Sequence, residues 1–108
     1  MSIDIKAKEL ADAVKESEEF KNLTSAHARL KIDISAQDLI RQIQKLQEKA
    51  FEAQRQGTPA DKSIIDQLKA LEVTAQQNDT LNKLFKAQEK FNMLMHNVSE
   101  KISSELYK

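Results

Sequence analysis

No cysteine occurs in the 108 residues, and glycine, proline and tyrosine occur once each. The missing thiol excludes disulfides, thiolate metal sites and cysteine nucleophiles. Aromatic residues make up 5% of the chain and tryptophan is absent, so basic segments have no interleaved aromatics on which bases could stack. Neither sign of charge prevails, since 17 lysines and arginines balance 17 aspartates and glutamates. The chain therefore projects no global field toward nucleic acid or an anionic membrane. No apolar run approaches the roughly 20 residues of a membrane span. The opening Met1-Ser2-Ile3-Asp4-Ile5-Lys6 lacks the apolar stretch of roughly 7–15 residues that marks a signal peptide. The cytoplasm is the expected location.

What is present is helix-forming material. The chain is 31% charged and rich in Ala, Leu, Lys, Glu and Gln, with almost no helix breakers. Its length fits one helical domain over residues 1–108, large enough to bury roughly 65% of its unfolded surface. The only glycine and the only proline stand two positions apart, in Arg55-Gln56-Gly57-Thr58-Pro59-Ala60-Asp61. Gly57 suits the left-handed residue past a helix end, Thr58 an N-cap, Pro59 the first helical position, and Asp61 the first turn. A long helical hairpin with its tip at Gly57–Pro59 follows.

Periodicity fills in the rest. A first helix over Asp4 to Glu16 places Ile3, Ala7, Leu10, Val14 and Ser17 on one face. A second begins after Ser17 as N-cap and carries Phe20, Leu23, Ala26 and Leu30. It breaks or bends at Asp33 or Ser35, where Ser35-Ala36-Gln37-Asp38 has capping-box spacing. The third, from Ala36 to Gln56, repeats Ala36, Leu39, Ile43, Leu46, Ala50 and Ala53, with Ile40 and Phe51 beside the seam. A fourth presents Ile64, Ile65, Leu68, Leu71 and Ala75. Asn78 or Asp79 caps a fifth that runs from Thr80 to Leu106 with Leu81, Leu84, Gln88, Phe91, Met95, Val98 and Ile102 in its seam. The expected fold is all-α: an elongated antiparallel bundle of about five helices, with a long helical hairpin and a long C-terminal helix. Residues 17–23 and 78–84 echo each other in pattern, as a duplicated hairpin would, or as two capped amphipathic helices would.

No constellation carries catalytic chemistry. His27 and His96 lack the Glu-x-x-His spacing of bundle di-iron sites, because positions 24 and 93 hold Thr24 and Met93. No zincin, phosphate-loop or nucleophile-elbow pattern occurs. The expectation is a protein that is no enzyme and needs no cofactor or metal. Arg41, Lys45 and Lys49 share one face of helix three, and Lys83, Lys86 and Lys90 share one face of helix five. A solvated charged face accounts for both stripes; the alternative is an RNA-associated protein that binds through them. Phe85, Met93 and Leu94 lie off the main seam of helix five, so this helix needs a second apolar partner, and homodimerisation supplies one. Phe85, Phe91, Met93, Leu94 and Met95 are the expected contact residues.

The whole pattern resembles the YlbF/YmcA-like family of control-of-competence regulators. The matching stretches are residues 8–20, the spacing of Leu23, Ala26, Leu30, Asp33 and Ala36, residues 44–49, and residues 87–91 through 102–107. The resemblance implies an all-helical, oligomerising bacterial protein of the cytoplasm. Some members influence competence, sporulation and biofilm formation through a complex that affects an RNA-degrading endonuclease. Certain of those carry C-terminal cysteines associated with an iron–sulfur cluster. This chain closes on Glu105-Leu106-Tyr107-Lys108 without a cysteine, which puts it with the cysteine-free branch. The expected function is that of a regulatory or scaffold protein that works by protein–protein interaction.

Overall fold

The fold was analysed in a computed structural model that describes residues 2–59 and 61–108. The described residues form five α-helices and no strand: α1 Ser2–Lys15, α2 Glu18–Lys31, α3 Ile34–Arg55, α4 Lys62–Gln77 and α5 Asp79–Leu106. The all-α expectation holds, and four of the five helices begin within two residues of the predicted starts. The chain separates into two compact units, Met1–Ala28 with Leu84–Lys108, and Arg29–Lys83.

Polar side chains at the junctions explain why the helices stop where they do. Ser17 serves two helices at once: its hydroxyl donates to the Val14 carbonyl and accepts from the Phe20 amide at 3.1 Å. It thus satisfies one orphan group at each of the two ends. Asn78 joins α4 to α5 in a similar way: its side chain accepts from the Leu81 amide at 3.1 Å, and its backbone N–H closes α4 on the Thr74 and Ala75 carbonyls. The echo between residues 17–23 and 78–84 therefore extends to the same cap-to-third-residue bond.

The α2–α3 break falls at Asp33. Its extended backbone (φ −110°, ψ 96°) and its side chain, bonded to the Ala36 amide, cap α3. Ser35 and Asp38 do not form the predicted capping box. Asp33 starts the helix two residues earlier, so Ser35 lies inside the first turn and Asp38 pairs with Arg41 instead. The end of α2 is closed from outside: the Gln37 side-chain Nε2 donates to the carbonyls of Leu30 and Lys31, each at 2.9 Å.

The hairpin tip is built differently from its sequence reading. Gly57 adopts φ +79°, as expected of a residue past a helix end. Its amide bonds to the Gln54 carbonyl, and the Thr58 amide bonds to the Ala53 carbonyl. That pair of bonds is a Schellman closure of α3. Thr58 is thus the last member of the α3 stop and not the N-cap of α4, since its hydroxyl also donates to Ala53. Pro59 accordingly does not open α4. Asp61 is the N-cap, bonded to the Ser63 amide at 2.9 Å, which moves it from the first turn to the cap. Ala60 lies outside the described residues.

Burial follows the seams in the unit Arg29–Lys83. Ala36, Leu46, Ala75, Thr80 and Leu81 are buried, and Ile43, Ala50, Ala53, Leu68 and Leu71 are half-buried. Helices α3 and α4 pack against each other along this stripe, and the small Ala50 and Ala53 permit close approach near the tip. Leu81 is fully buried, which removes its side chain from water at a gain of about 1.5–3 kcal/mol. Among the described residues of the other unit only Leu23, Ala26 and Leu84 are buried, with Val14, Phe20, Phe91, Leu94 and Val98 half-buried.

Nothing lies within 4 Å of a Cβ built on Gly57, so a side chain there meets backbone strain and no steric clash. Gly57→Ala should therefore lower the unfolding free energy by about 1 kcal/mol, measured by urea denaturation. Gly57→Asn, which tolerates the left-handed region, should lose less.

Candidate interaction surfaces

The most concentrated polar cluster joins residues far apart in sequence. Asp33 accepts from the Thr80 hydroxyl at 2.5 Å as well as from the Ala36 amide. One turn back along α2, the Arg29 guanidinium donates to Asp79 at 2.7 Å, and Lys83 approaches the same carboxylate at 3.3 Å. Thr80 is buried, so its hydroxyl needs this partner. The Thr80 hydroxyl bond, then the Ala36 amide, holds the Asp33 carboxyl below its ordinary value of 3.8. Lys83 chiefly, with help from Arg29, does the same for Asp79. Every member of the cluster has a partner, and the carboxylates are held ionised. This arrangement fixes the start of α5 on the α2–α3 junction.

The histidines carry nothing further. Both are exposed, and His96 has only Glu100 beside it, at 3.8 Å. Among the described residues no group of three or more His, Asp and Glu side chains converges as metal ligands would. Most ion pairs join residues three or four apart on one exposed helix face, where each contributes little.

The predicted contact residues on α5 divide into two groups. Phe91 and Leu94 are half-buried, and the Phe91 ring sits 5.9 Å from Phe20 at 54°, a tilted geometry that aromatic pairs favour. Phe85, Met93 and Met95 are exposed. Phe85 and Met93 line a shallow depression of about 470 Å³ together with Gln88, Asn92, His96 and Asn97. Gln88 is half-buried and donates to Asn92 at 3.0 Å, so its amide is satisfied within α5.

The lysine stripe is split as well. Lys83 belongs to the unit Arg29–Lys83 and is tied to Asp79, whereas Lys86 and Lys90 belong to the other unit. All three are exposed. On α3, Arg41 is paired with Asp38 at 2.9 Å, while Lys45 and Lys49 flank the α3–α4 groove beside Gln67 and Leu71. Mixed charge and internal pairing give both faces the character of ordinary solvated surface.

Sequence reasoning understated one surface. The α1 residues that periodicity sets on one face find no cover, for α1 contains no buried residue. Ile3 is 74% exposed, Ile5 59% and Leu10 41%. On α5, Ile102 is 49% exposed and Leu106 70%. The periodicity that places Ile3 and Leu10 on one face of α1, with Ile5 on another, is visible in the sequence; what those faces meet is not.

A fold of this kind, all helix among the described residues, with its polar cluster internally satisfied and apolar helix faces left bare, defines a class of small helical proteins with uncovered apolar surface. The family model described as control of competence regulator ComK, YlbF/YmcA, matches residues 3–107, and this chain belongs to that family. The UPF0342 protein OB1136 of Oceanobacillus iheyensis is 26% identical over 100 residues, covering 93% of this chain and 86% of the relative. The UPF0342 protein BpOF4_11360 of Alkalihalophilus pseudofirmus is 27% identical over 101 residues, covering 94% and 86%. Two solved structures share the fold. One is a protein of unknown function (DUF964) from Bacillus stearothermophilus, at a TM-score of 0.83 and 22% identity over 99% of this chain and 94% of that one. The other is Bacillus subtilis RicA in complex with RicF, at a TM-score of 0.78 and 24% identity over 99% and 97%.

The cluster makes a pH prediction. Because the folded-state pKa values of Asp33 and Asp79 lie below the unfolded ones, the unfolded chain takes up protons first as pH falls. Their stabilisation is complete above the unfolded value and is lost as pH drops through 3.8 and below. Thermal melts should therefore decline between about pH 5 and about pH 3. Asp33→Ala should melt roughly 5 °C lower at neutral pH and decline less steeply in acid.

Proposed function

We propose that this chain is a non-enzymatic helical interaction module of the cytoplasm, which regulates or scaffolds a partner protein and assembles with itself, a dimer being the expected state. The observation that carries this reading is the bare apolar surface of α1 and α5, where Ile3, Ile5, Leu10, Phe85, Met93, Met95, Ile102 and Leu106 are all exposed. Large apolar side chains left bare in this number mark interaction sites. Membership of a family of competence regulators supports the regulatory role. The structural neighbour RicA was solved in complex with RicF, which supports assembly with another protein. Among the described residues no helix is long and apolar enough to cross a membrane.

The contact residues are Phe85, Met93 and Met95, with Phe91 and Leu94 beneath them. Phe91 also holds Phe20, so its substitution mixes folding with association and makes a poor probe. Met93→Glu with Met95→Glu is the cleaner variant. Light scattering on the native chain should give a mass that is a multiple of 12.3 kDa, and the double variant should shift toward the single-chain value with its helicity intact. A native chain that stays at 12.3 kDa throughout the micromolar range would remove the self-association.

A further inference from the structure

We infer that one flank of the α3–α4 hairpin, edged by Lys45 and Lys49, docks an acidic amphipathic helix of a partner protein. This rests on the interaction role proposed above and gives the partner a surface of its own, apart from α1 and α5. The two helices of the hairpin cover each other along Leu46, Leu71 and Ala75, which leaves a shallow groove on each side. Only one of the two says by its charge what fits it. The side floored by Ala50, Phe51 and Leu68 has Gln47, Gln54 and Thr58 around it, and no ionisable group among the described residues that line it. The other, of about 380 Å³, is floored by Leu46 and Leu71. Lys45 and Lys49 edge it on α3, and Gln67 and Ala70 edge it on α4.

The two lysines are the unneutralised part of the α3 stripe. Arg41 is taken by Asp38 at 2.9 Å, and Glu52 by Arg55 at 3.7 Å. Glu48 lines the adjoining depression with Asp38 and Arg41 and does not line this one. Among the described residues neither Lys45 nor Lys49 has a carboxylate within 4.0 Å. As a stripe on α3 they are ordinary solvated charge; as the edge of an apolar groove they select its occupant. The described lining holds two positive charges and no negative one over a leucine floor, in a chain whose net charge is zero. A groove between two helices receives a third, whose apolar stripe fills the floor. The two lysines stand about one turn apart, about 6 Å along α3, so the carboxylates that meet them recur every three or four residues on one edge of the incoming helix. Its other edge meets Gln67 and the bare methyl of Ala70 and is uncharged. A phosphate backbone is the poorer match. Two lysines neutralise little of it, Leu46 and Leu71 offer it nothing, and no aromatic ring lines the groove for bases to stack on.

The probe is a synthetic helix of three repeats of Leu-Gln-Glu-Leu-Ala-Gln-Glu, whose glutamates recur every three or four residues along one edge. It is titrated into the native chain grown with heavy nitrogen, and the amide shifts are followed by NMR. The expected result is saturable shifts gathered on residues 42–49 and 67–71. Lys45→Glu with Lys49→Glu should weaken binding about tenfold, and so should lysine in place of glutamate in the peptide. Lys86→Glu with Lys90→Glu, in the other unit, should bind as the native chain does, and circular dichroism confirms that each variant is helical. Shifts gathered elsewhere overturn the groove. No saturable shift in a chain that light scattering finds at a multiple of 12.3 kDa overturns the groove and leaves the self-association standing; in a chain that stays at 12.3 kDa it overturns both. Shifts at these residues on concentrating the chain without peptide mark a second copy as the occupant and overturn the partner helix. Tighter binding of a short single-stranded RNA than of the peptide, through the same two lysines, overturns it as well.

Discussion

An apolar stripe on a helix is stable only where something covers it, and this chain has more stripe than cover. That constraint runs through every observation. In the unit Arg29–Lys83, α3 and α4 lie against each other and the stripe of each is shielded by the other. In the unit formed by Met1–Ala28 and Leu84–Lys108, burial is confined to Leu23, Ala26 and Leu84. The junctions at Ser17 and Asn78 are capped, but the outer apolar residues of these helices stay in water. A helix that shows apolar residues along its length to solvent is either short-lived or awaiting a partner.

The polar interactions play a different part. Ser17, Asp33, Asp61 and Asn78 end one helix or start the next, and each does so through a side-chain oxygen bonded to a backbone amide. The Asp33–Thr80 and Arg29–Asp79 bonds then fasten the start of α5 to the α2–α3 junction. These groups are satisfied among themselves. They give the chain its path, and the apolar helix faces stay bare beside them.

Much of this was legible in the residues. Helix content, the five-helix count and the capping roles of Ser17 and Asn78 follow from periodicity and cap preference, because both act within a few residues of the chain. Thr58 was misassigned for a physical reason. A threonine after a glycine can close the helix behind it or open the one ahead, and only the destination of its amide, here the Ala53 carbonyl, decides. The Asp33–Thr80 bond bridges 47 positions and leaves no local trace. The pairing of Phe20 with Phe91 is hidden in the same way, since periodicity says that a residue faces something and never what. For that reason Phe91 looked like a contact residue for a partner while holding its own chain together. The bare stripe of α1 is the clearest instance: its 4-3-4 spacing is plain in the sequence, and its exposure is not.

The central claim is that the bare stripe of α1, which buries no residue, is covered by the self-association proposed for this chain. Amide hydrogen exchange across a dilution series measures this dependence directly, because exchange reports local opening and dilution removes the partner by mass action. The account predicts that the amides of Ile5 to Val14 are protected at high concentration and lose that protection on dilution, while those of Leu46 and Ala75 keep theirs. Protection of α1 that does not change with concentration, or that is absent at every concentration, would contradict it.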